Sequence, residues 1–371
     1  MMNMDVELDG LFRHNDSYYY DENYEYKEDF ESKASKAVLI PVLYSVELVI
    51  GLLGNGLLLA VLAQKRRSWS ISDTFILHLS VADILLLVTL PFWAAQTALH
   101  CESCWDFLCK ISGTVFNINF YCGILLLVCI SLDCYLSIAH GIQLYSQKRP
   151  MLAHISCLMV WLSSLLLTIP DWIFVVARKD PAQEKTECVH NYSQSVGDWR
   201  LASRLLHHML GFLLPTVTLI ICCSYILLQL QRSSKGLRRQ RAIMVILPLV
   251  VVFFLCWVPY NITLIVDTIR SSSKEPDDHL SGSPKGSLKT ALMATSVLGC
   301  FHTCLRPLLY LSLCGNFRRR TLAMLRCATV ESESSLWELG VGEEALPDQS
   351  HEGEMLKQMT SVDHVQSTEQ C

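Results

Sequence analysis

Residues 242 to 269 read AIMVILPLVVVFFLCWVPYNITLIVDTI and carry one formal charge, Asp267. An α-helix rises about 1.5 Å per residue, so about 20 such residues cross the roughly 30 Å hydrocarbon core of a bilayer. A segment this long and apolar has no use for water, and only a helix satisfies its backbone polar groups internally. Six further stretches have the same character, roughly 37–64, 74–99, 109–138, 153–176, 201–230 and 288–313. The last is the least uniformly apolar because Arg306 lies inside it. The expected fold is an all-α membrane protein, a seven-transmembrane helix bundle followed by a short amphipathic eighth helix.

Composition agrees. Of 371 residues 51% are hydrophobic and 18% charged, against about 25% charged in an ordinary soluble domain, and the mean hydropathy is +0.32. A soluble two-domain protein needs a more charged surface, and a disordered chain does not carry this much Leu, Ile, Val and Phe. The net charge of −5 hides a partition: the first 36 residues hold ten acids and four bases, and residues 328–371 hold ten acids against Lys357 alone. The connections between spans decide orientation, since Lys and Arg stay on the cytoplasmic side of short loops. Lys65, Arg66 and Arg67, then Lys148 and Arg149, then Arg232, Lys235, Arg238, Arg239 and Arg241, then Arg318, Arg319, Arg320 and Arg326 fall in alternate connections that lack acids. The amino terminus is therefore expected outside, with span one as its own insertion signal, because no basic n-region precedes a short apolar run.

This orientation divides the chain into an extracellular acidic tyrosine-rich arm (1–36), the bundle (37–313), an amphipathic inner-leaflet helix (314–327) and an acidic cytoplasmic tail (328–371). It places the sequons at Asn15 and Asn191 outside, whereas the Asn261 sequon lies within span six and is discounted. Only Cys101, Cys104, Cys109 and Cys188 of the sixteen cysteines fall on the oxidising side, with three possible pairings. The other twelve read mostly as small packing residues.

Gly54-Asn55, Leu79-Ser80-Val81-Ala82-Asp83, Trp161, Cys256-Trp257-Val258-Pro259-Tyr260 and Pro307-Leu308-Leu309-Tyr310 occur in order along the spans. In this they resemble the rhodopsin-like G-protein-coupled receptors over about residues 37–327. Thr89-Leu90-Pro91, Trp93 and the run Phe116-Asn117-Ile118-Asn119-Phe120-Tyr121 narrow the resemblance to CXC chemokine receptors, in particular the third-type branch for interferon-inducible CXC chemokines. The resemblance implies a disulfide between Cys109 and Cys188, which leaves Cys101 and Cys104 as a second bridge. The family's usual bridge from the amino-terminal arm to the third outer loop has no cysteines here. It also implies that Tyr18, Tyr19, Tyr20, Tyr24 and Tyr26, beside acids such as Asp21 and Glu22, are sulfated and bind a basic chemokine. Asp171 and Asp267, near the outer ends of spans four and six, would pair with the ligand's basic groups in a cavity lined also by Trp93, Tyr260 and Ser296. Glu47 in span one has no assigned part.

Three switch positions depart from the family. Span three ends in Asp133-Cys134-Tyr135 where the family has Asp-Arg-Tyr, and a thiol carries no fixed charge with which to restrain the bundle or meet a G protein. Span seven has Arg306 before Pro307 in place of asparagine, and an arginine inside a span is costly unless it is paired or hydrated. Arg306 and Asp83 lie at similar depths, about 11 and 13 Å from the inner ends of their spans at 1.5 Å per residue, so an ion pair between them is expected. In the family that aspartate helps hold a sodium ion with residues matching Asn119 and Gly123, and a guanidinium would take the cation's place. Cys223 stands where a tyrosine is usual. Tyr225 is two residues on, about 200° around the helix, and is expected to face away. Trp257, Pro259 and Tyr310 are retained, and Pro248 adds a possible kink. Cys327 is a candidate palmitoylation site. Ser332, Ser334, Ser335, Ser350, Thr360, Ser361, Ser367 and Thr368 are candidates for phosphorylation and arrestin.

The expected function is a plasma-membrane receptor of CXC chemokines that cycles through endosomes, engages arrestin, couples weakly or not at all to a Gi-type G protein and removes its ligand. The alternative is a conventional Gi-coupled receptor for chemotaxis and calcium signalling. A transporter would show an internal repeat, and none is visible. No nucleophile-base pair, phosphate loop or metal spacing suggests an enzyme, His207-His208 being adjacent and not at helical ligand spacing. Neither cofactor nor nucleic acid is expected, and bilayer lipid is the other partner.

Overall fold

The structure, a computed structural model, describes residues 24–64, 71–98, 105–139, 150–179, 186–190, 199–232, 237–272 and 284–326. Its seven membrane-length apolar segments are Val38–Ala63, Asp73–Ala95, Asp106–Leu136, Met151–Phe174, Trp199–Gln229, Val245–Arg270 and Ser287–Leu313. They lie in helices α1 (Tyr24–Ala63), α2 (Ile71–Ala98), α3 (Trp105–Ala139), α4 (Pro150–Leu167), α5 (Ile169–Phe174), α6 (Trp199–Leu206), α7 (Leu214–Arg232), α8 (Leu237–Ser272) and α9 (Pro284–Leu313). The first helix starts at Tyr24, inside the acidic stretch, well before its apolar part.

Burial is inverted relative to a soluble protein. Leu53 is 71% exposed, while Asp83 is fully buried and Arg306 is 4% exposed. Leucine outside and charge inside is the arrangement a hydrocarbon solvent selects. The interior is aromatic: Trp257 has no exposed surface and meets Phe116 and Phe120 at centroid separations of 5.1 and 4.8 Å. Such pairs contribute about 0.5–1.5 kcal/mol beyond area burial. Glycine admits close contacts between helices, since a Cβ on Gly54 would stand 2.8 Å from Pro307 and one on Gly211 would stand 2.3 Å from Tyr121. Asn55 ties α1 to α9 by donating from Nδ2 to the Thr303 carbonyl at 3.0 Å.

Two local features differ from the uniform helices expected. Span four stays helical to Phe174 and does not reach Val176. Thr168 separates α4 from the short α5 that carries Asp171, but its backbone stays in the right-handed helical region, its N–H donates to the Ser164 carbonyl at 3.2 Å and its carbonyl accepts from the Trp172 N–H at 3.2 Å. Val175 and Val176, read as the end of the span, instead open strand β1 (Val175–Lys179), which pairs antiparallel with β2 (Thr186–His190) in a hairpin. β-branched residues suit a strand as well as an apolar helix end.

Span five contains a π turn over His207–Leu213 between α6 and α7. Pro215 explains it: proline has no N–H to give the Gly211 carbonyl and its ring crowds that oxygen. The Leu214 N–H reaches back five residues to the Met209 carbonyl. The extra width is accommodated where glycine lets Tyr121 approach.

Helix α10 (Gly315–Leu325) follows α9, with Phe317 and Thr321 buried. Arg318 and Arg319 are exposed, so the helix is amphipathic as expected.

Candidate functional site

At the hairpin end of the bundle, the last helical stretch of span four, α5, carries Asp171. Its Oδ2 accepts from Asn117 Nδ2 on α3 at 2.9 Å. Its Oδ1 lies 2.9 Å from His190 Nε2 on β2. The strand that brings His190 is fixed to α3 by the Cys109–Cys188 disulfide, with a Cα separation of 5.5 Å. Further along the hairpin the Ala177 N–H donates to Asp106 Oδ1 at 3.0 Å. Asp171 and His190 line a cavity of about 30 Å³ with Asn117, Tyr121, Arg204 and Tyr260, room for about one water.

Asp267 on α8 faces two cations of α6, with Arg204 Nη2 at 3.5 Å and Arg200 Nη2 at 3.8 Å. Both acids singled out in the sequence thus already have basic partners from this chain. Of the expected cavity residues, Asp171 and Tyr260 line this small cavity, whereas Asp267, Trp93 and Ser296 are not among its walls. Ser296 Oγ donates to the Met293 carbonyl at 2.8 Å. Trp93 Nε1 and Arg204 Nε are buried donors with no acceptor among the described residues.

Beneath the cavity runs a chain of hydrogen bonds. Asn261 Nδ2 donates to the Trp257 carbonyl at 3.0 Å, so its Oδ1 is the acceptor for His207 Nε2 at 3.1 Å. His207 Nδ1 is then left to accept from the Tyr121 hydroxyl at 2.7 Å. That assignment makes His207 a neutral imidazole joining spans three, five and six. Sequence reasoning missed its role, together with Asn117, His190 and Arg204. The single available signal was the polarity of His207 and Asn261 within apolar spans.

In the bundle centre Arg306 Nη1 on α9 lies 2.6 Å from Asp83 Oδ2 on α2. Asn119 Nδ2 on α3 donates to Asp83 Oδ1 at 3.0 Å. His302 Nδ1 donates to the Gly299 carbonyl at 2.6 Å, which leaves its Nε2 3.7 Å from Asp83 Oδ1. These residues do not fit a sodium ion: one carboxylate oxygen holds the guanidinium, the other holds an amide donor, and Gly123 offers no side-chain oxygen. A Cβ at Gly123 would itself stand 2.9 Å from Phe253. Glu47 on α1 is 2% exposed, and its Oε2 has no hydrogen-bond partner among the described residues.

At the opposite end, Cys134 is a half-buried thiol packed on the core. Tyr135 meets Tyr225 edge to face at 4.9 Å. Tyr225, expected to face away, packs instead on span three, the helix that Cys223 also faces. Cys223 is half-buried and faces Ser131, while Tyr310 is buried in the core at 2% exposure. Asp133 is half-buried at the same end of span three. Pro259 and Pro307 lie inside α8 and α9.

Several expectations lie outside the described residues: Tyr18, Tyr19, Tyr20, Asp21, Glu22, Asn15, Asn191, Cys101, Cys104, Cys327 and the tail serines and threonines. Tyr24 and Tyr26 fall on the opening turn of α1.

Residues 54–310 match the family model for the seven-transmembrane receptors of the rhodopsin family. The chain is 40% identical to the C-X-C chemokine receptor type 3 of Bos taurus over 324 residues, covering 85% of this chain and 83% of the relative. It is 42% identical to the Homo sapiens receptor of that type over 296 residues, covering 77% and 76%. It is 35% identical to the C-X-C chemokine receptor type 1 of Oryctolagus cuniculus over 301 residues, covering 80% and 82%. With seven membrane-length helices, the hairpin-anchoring disulfide and these likenesses together, the chain belongs to the CXC chemokine receptors of the rhodopsin family, multi-pass membrane receptors and not enzymes.

Proposed function

We propose that this receptor binds CXC chemokines at the plasma membrane, couples weakly to Gi-type G proteins and removes its ligand by internalisation with arrestin and endosomal cycling. The amino terminus lies outside, so the acidic arm of residues 1–36, with sulfated Tyr18, Tyr19, Tyr20, Tyr24 and Tyr26, steers and holds a basic ligand. The ligand's entering end then meets Asp171, Tyr260, Asp267, Trp93 and Ser296. The acids take basic groups in exchange for their present partners, and the buried N–H groups of Trp93 and Arg204 take acceptors.

One observation carries the weak-coupling half: the 2.6 Å contact between Asp83 and Arg306. A buried pair with that geometry resists separation, because parting it strands two charges in a low-dielectric interior. It therefore opposes relative movement of α2 and α9. Cys134 lacks the guanidinium that would meet the G protein, and Cys223 lacks the phenol that would join spans five and seven.

The retained Trp257, Pro259 and Tyr310 favour a second reading, a conventional Gi-coupled receptor that tolerates its changed motifs. Cells expressing the chain separate the two. Uptake of a labelled CXC chemokine without a calcium or cyclic-AMP response is the expected result, and a robust response accompanying uptake would retire the proposal.

A further inference from the structure

We infer that His190 sets the charge of the Asp171 subsite and makes that subsite release a basic ligand in acid, an inference that rests on the chemokine-binding reading above. The imidazole is held in place from two sides. It ends β2, where its Cα pairs with that of Val175, four residues beyond Asp171. Two residues before it, Cys188 is bonded to Cys109 on α3. Its Nε2 stands 2.9 Å from Asp171 Oδ1, and Asp171 Oδ2 is already occupied by Asn117. Any basic group that reaches Asp171 therefore shares the carboxylate with His190.

Imidazole is the side chain whose charge changes between about pH 5 and pH 8. While neutral, it donates one N–H and leaves the carboxylate charge for a ligand cation. Once protonated, it neutralises the carboxylate through a stronger, charge-assisted bond, and the ligand cation loses its counter-ion.

The groups facing this pair reinforce the change. Among the described residues of the cavity wall, α3 gives the uncharged Asn117 and Tyr121, α6 gives the cation Arg204 with Ser203, α8 gives Tyr260 and Leu264, and the π turn gives His207. From β1 the paired residue is Val175. Asp171 and Arg204 are the charged side chains of that wall, and Arg204 is shared with Asp267 at 3.5 Å, so a proton on His190 cancels the charge that Asp171 offers a ligand. His207 is 8% exposed and both its nitrogens are bonded. A second proton there would reverse the Tyr121 bond, the phenol oxygen then accepting, and would add charge of the same sign. The His190 side chain is 31% exposed and open to solvent protons. A receptor that carries ligand into acidified compartments would thus be unloaded there by its own second outer loop.

The test loads the full-length chain in lipid nanodiscs with a fluorescent basic CXC chemokine and measures dissociation at about pH 7.4 and about pH 5.5. The unaltered chain should release about tenfold faster in acid, the factor that loss of one partly buried ion pair gives. His190→Gln keeps a donor but takes no proton, and its two rates should agree within about twofold. His190→Lys carries the charge at both pH values and should release fast at both. The same acid acceleration in His190→Gln, or pH-indifferent release by the unaltered chain, would overturn this inference while leaving chemokine binding intact. Absence of saturable binding by the unaltered chain at the higher pH would overturn both.

Discussion

Arg306→Ala removes one member of a pair whose other member stays buried. Asp83 has no exposed surface, and with the guanidinium gone its remaining close donor is Asn119 Nδ2 at 3.0 Å. Breaking such a pair from one side costs about 3–5 kcal/mol. Relief by protonation of Asp83, or by a proton shared with His302 at 3.7 Å, puts the expectation near the lower bound, about 3 kcal/mol. At about 2 °C per kcal/mol for a chain of this size, thermal unfolding of the purified receptor should shift down by about 6 °C. Asp83→Asn with Arg306→Asn replaces the charges by two amides able to bond each other, and this double variant should recover more than half of the loss. The cycle built from Asp83→Asn, Arg306→Asn and their combination then reports a coupling of about 2 kcal/mol or more. An unchanged melting temperature in Arg306→Ala, or losses that simply add in the double variant, would refute the idea that this pair fastens α2 to α9.

Because a guanidinium already occupies the carboxylate, replacing sodium by choline should leave the melting temperature within about 1 °C, and sodium-dependent stabilisation of several degrees would contradict the arrangement. Glu47→Gln removes a buried carboxyl that has an unbonded oxygen. It should stabilise the receptor by about 1 kcal/mol or more in the same melting assay, and a fall in stability would reveal a partner for Glu47. Gly211→Val should cost more than about 2 kcal/mol, since even a Cβ would stand 2.3 Å from Tyr121 and overpacking costs about 1–3 kcal/mol. Toleration of valine would mean that the π turn of span five and α3 are not held at that spacing.

The architecture was legible because lipid imposes a simple rule on sequence: long apolar segments must be helices. That rule located all seven spans to within a few residues. The Asp83–Arg306 contact was legible for a related reason, since a charge inside a span needs a partner and the constant rise per residue places two charges at one depth. The end of span four at Phe174 and the hairpin beyond it were not legible, because Val175 and Val176 satisfy the hydropathy of a span as readily as the alternation of a strand. Nor was the π turn, which depends on Pro215 acting together with a neighbour on another helix, Tyr121. The acids Asp171 and Asp267 stood out as charges near helix ends. Their partners did not, because Asn117, His190, Arg200 and Arg204 are brought to them by tertiary packing and carry no local pattern.

Nucleotide exchange on purified Gi, driven by the chemokine-saturated receptor in nanodiscs, bears most directly on the central claim that ligand recognition persists while transmission is blocked. The unaltered chain should bind chemokine yet raise exchange little above the ligand-free rate. Cys134→Arg combined with Arg306→Asn should raise exchange by about tenfold or more with far less change in affinity, the equivalent of about 1.4 kcal/mol restored to the transmission step. Exchange by the unaltered chain already at the level of the double variant would contradict the account.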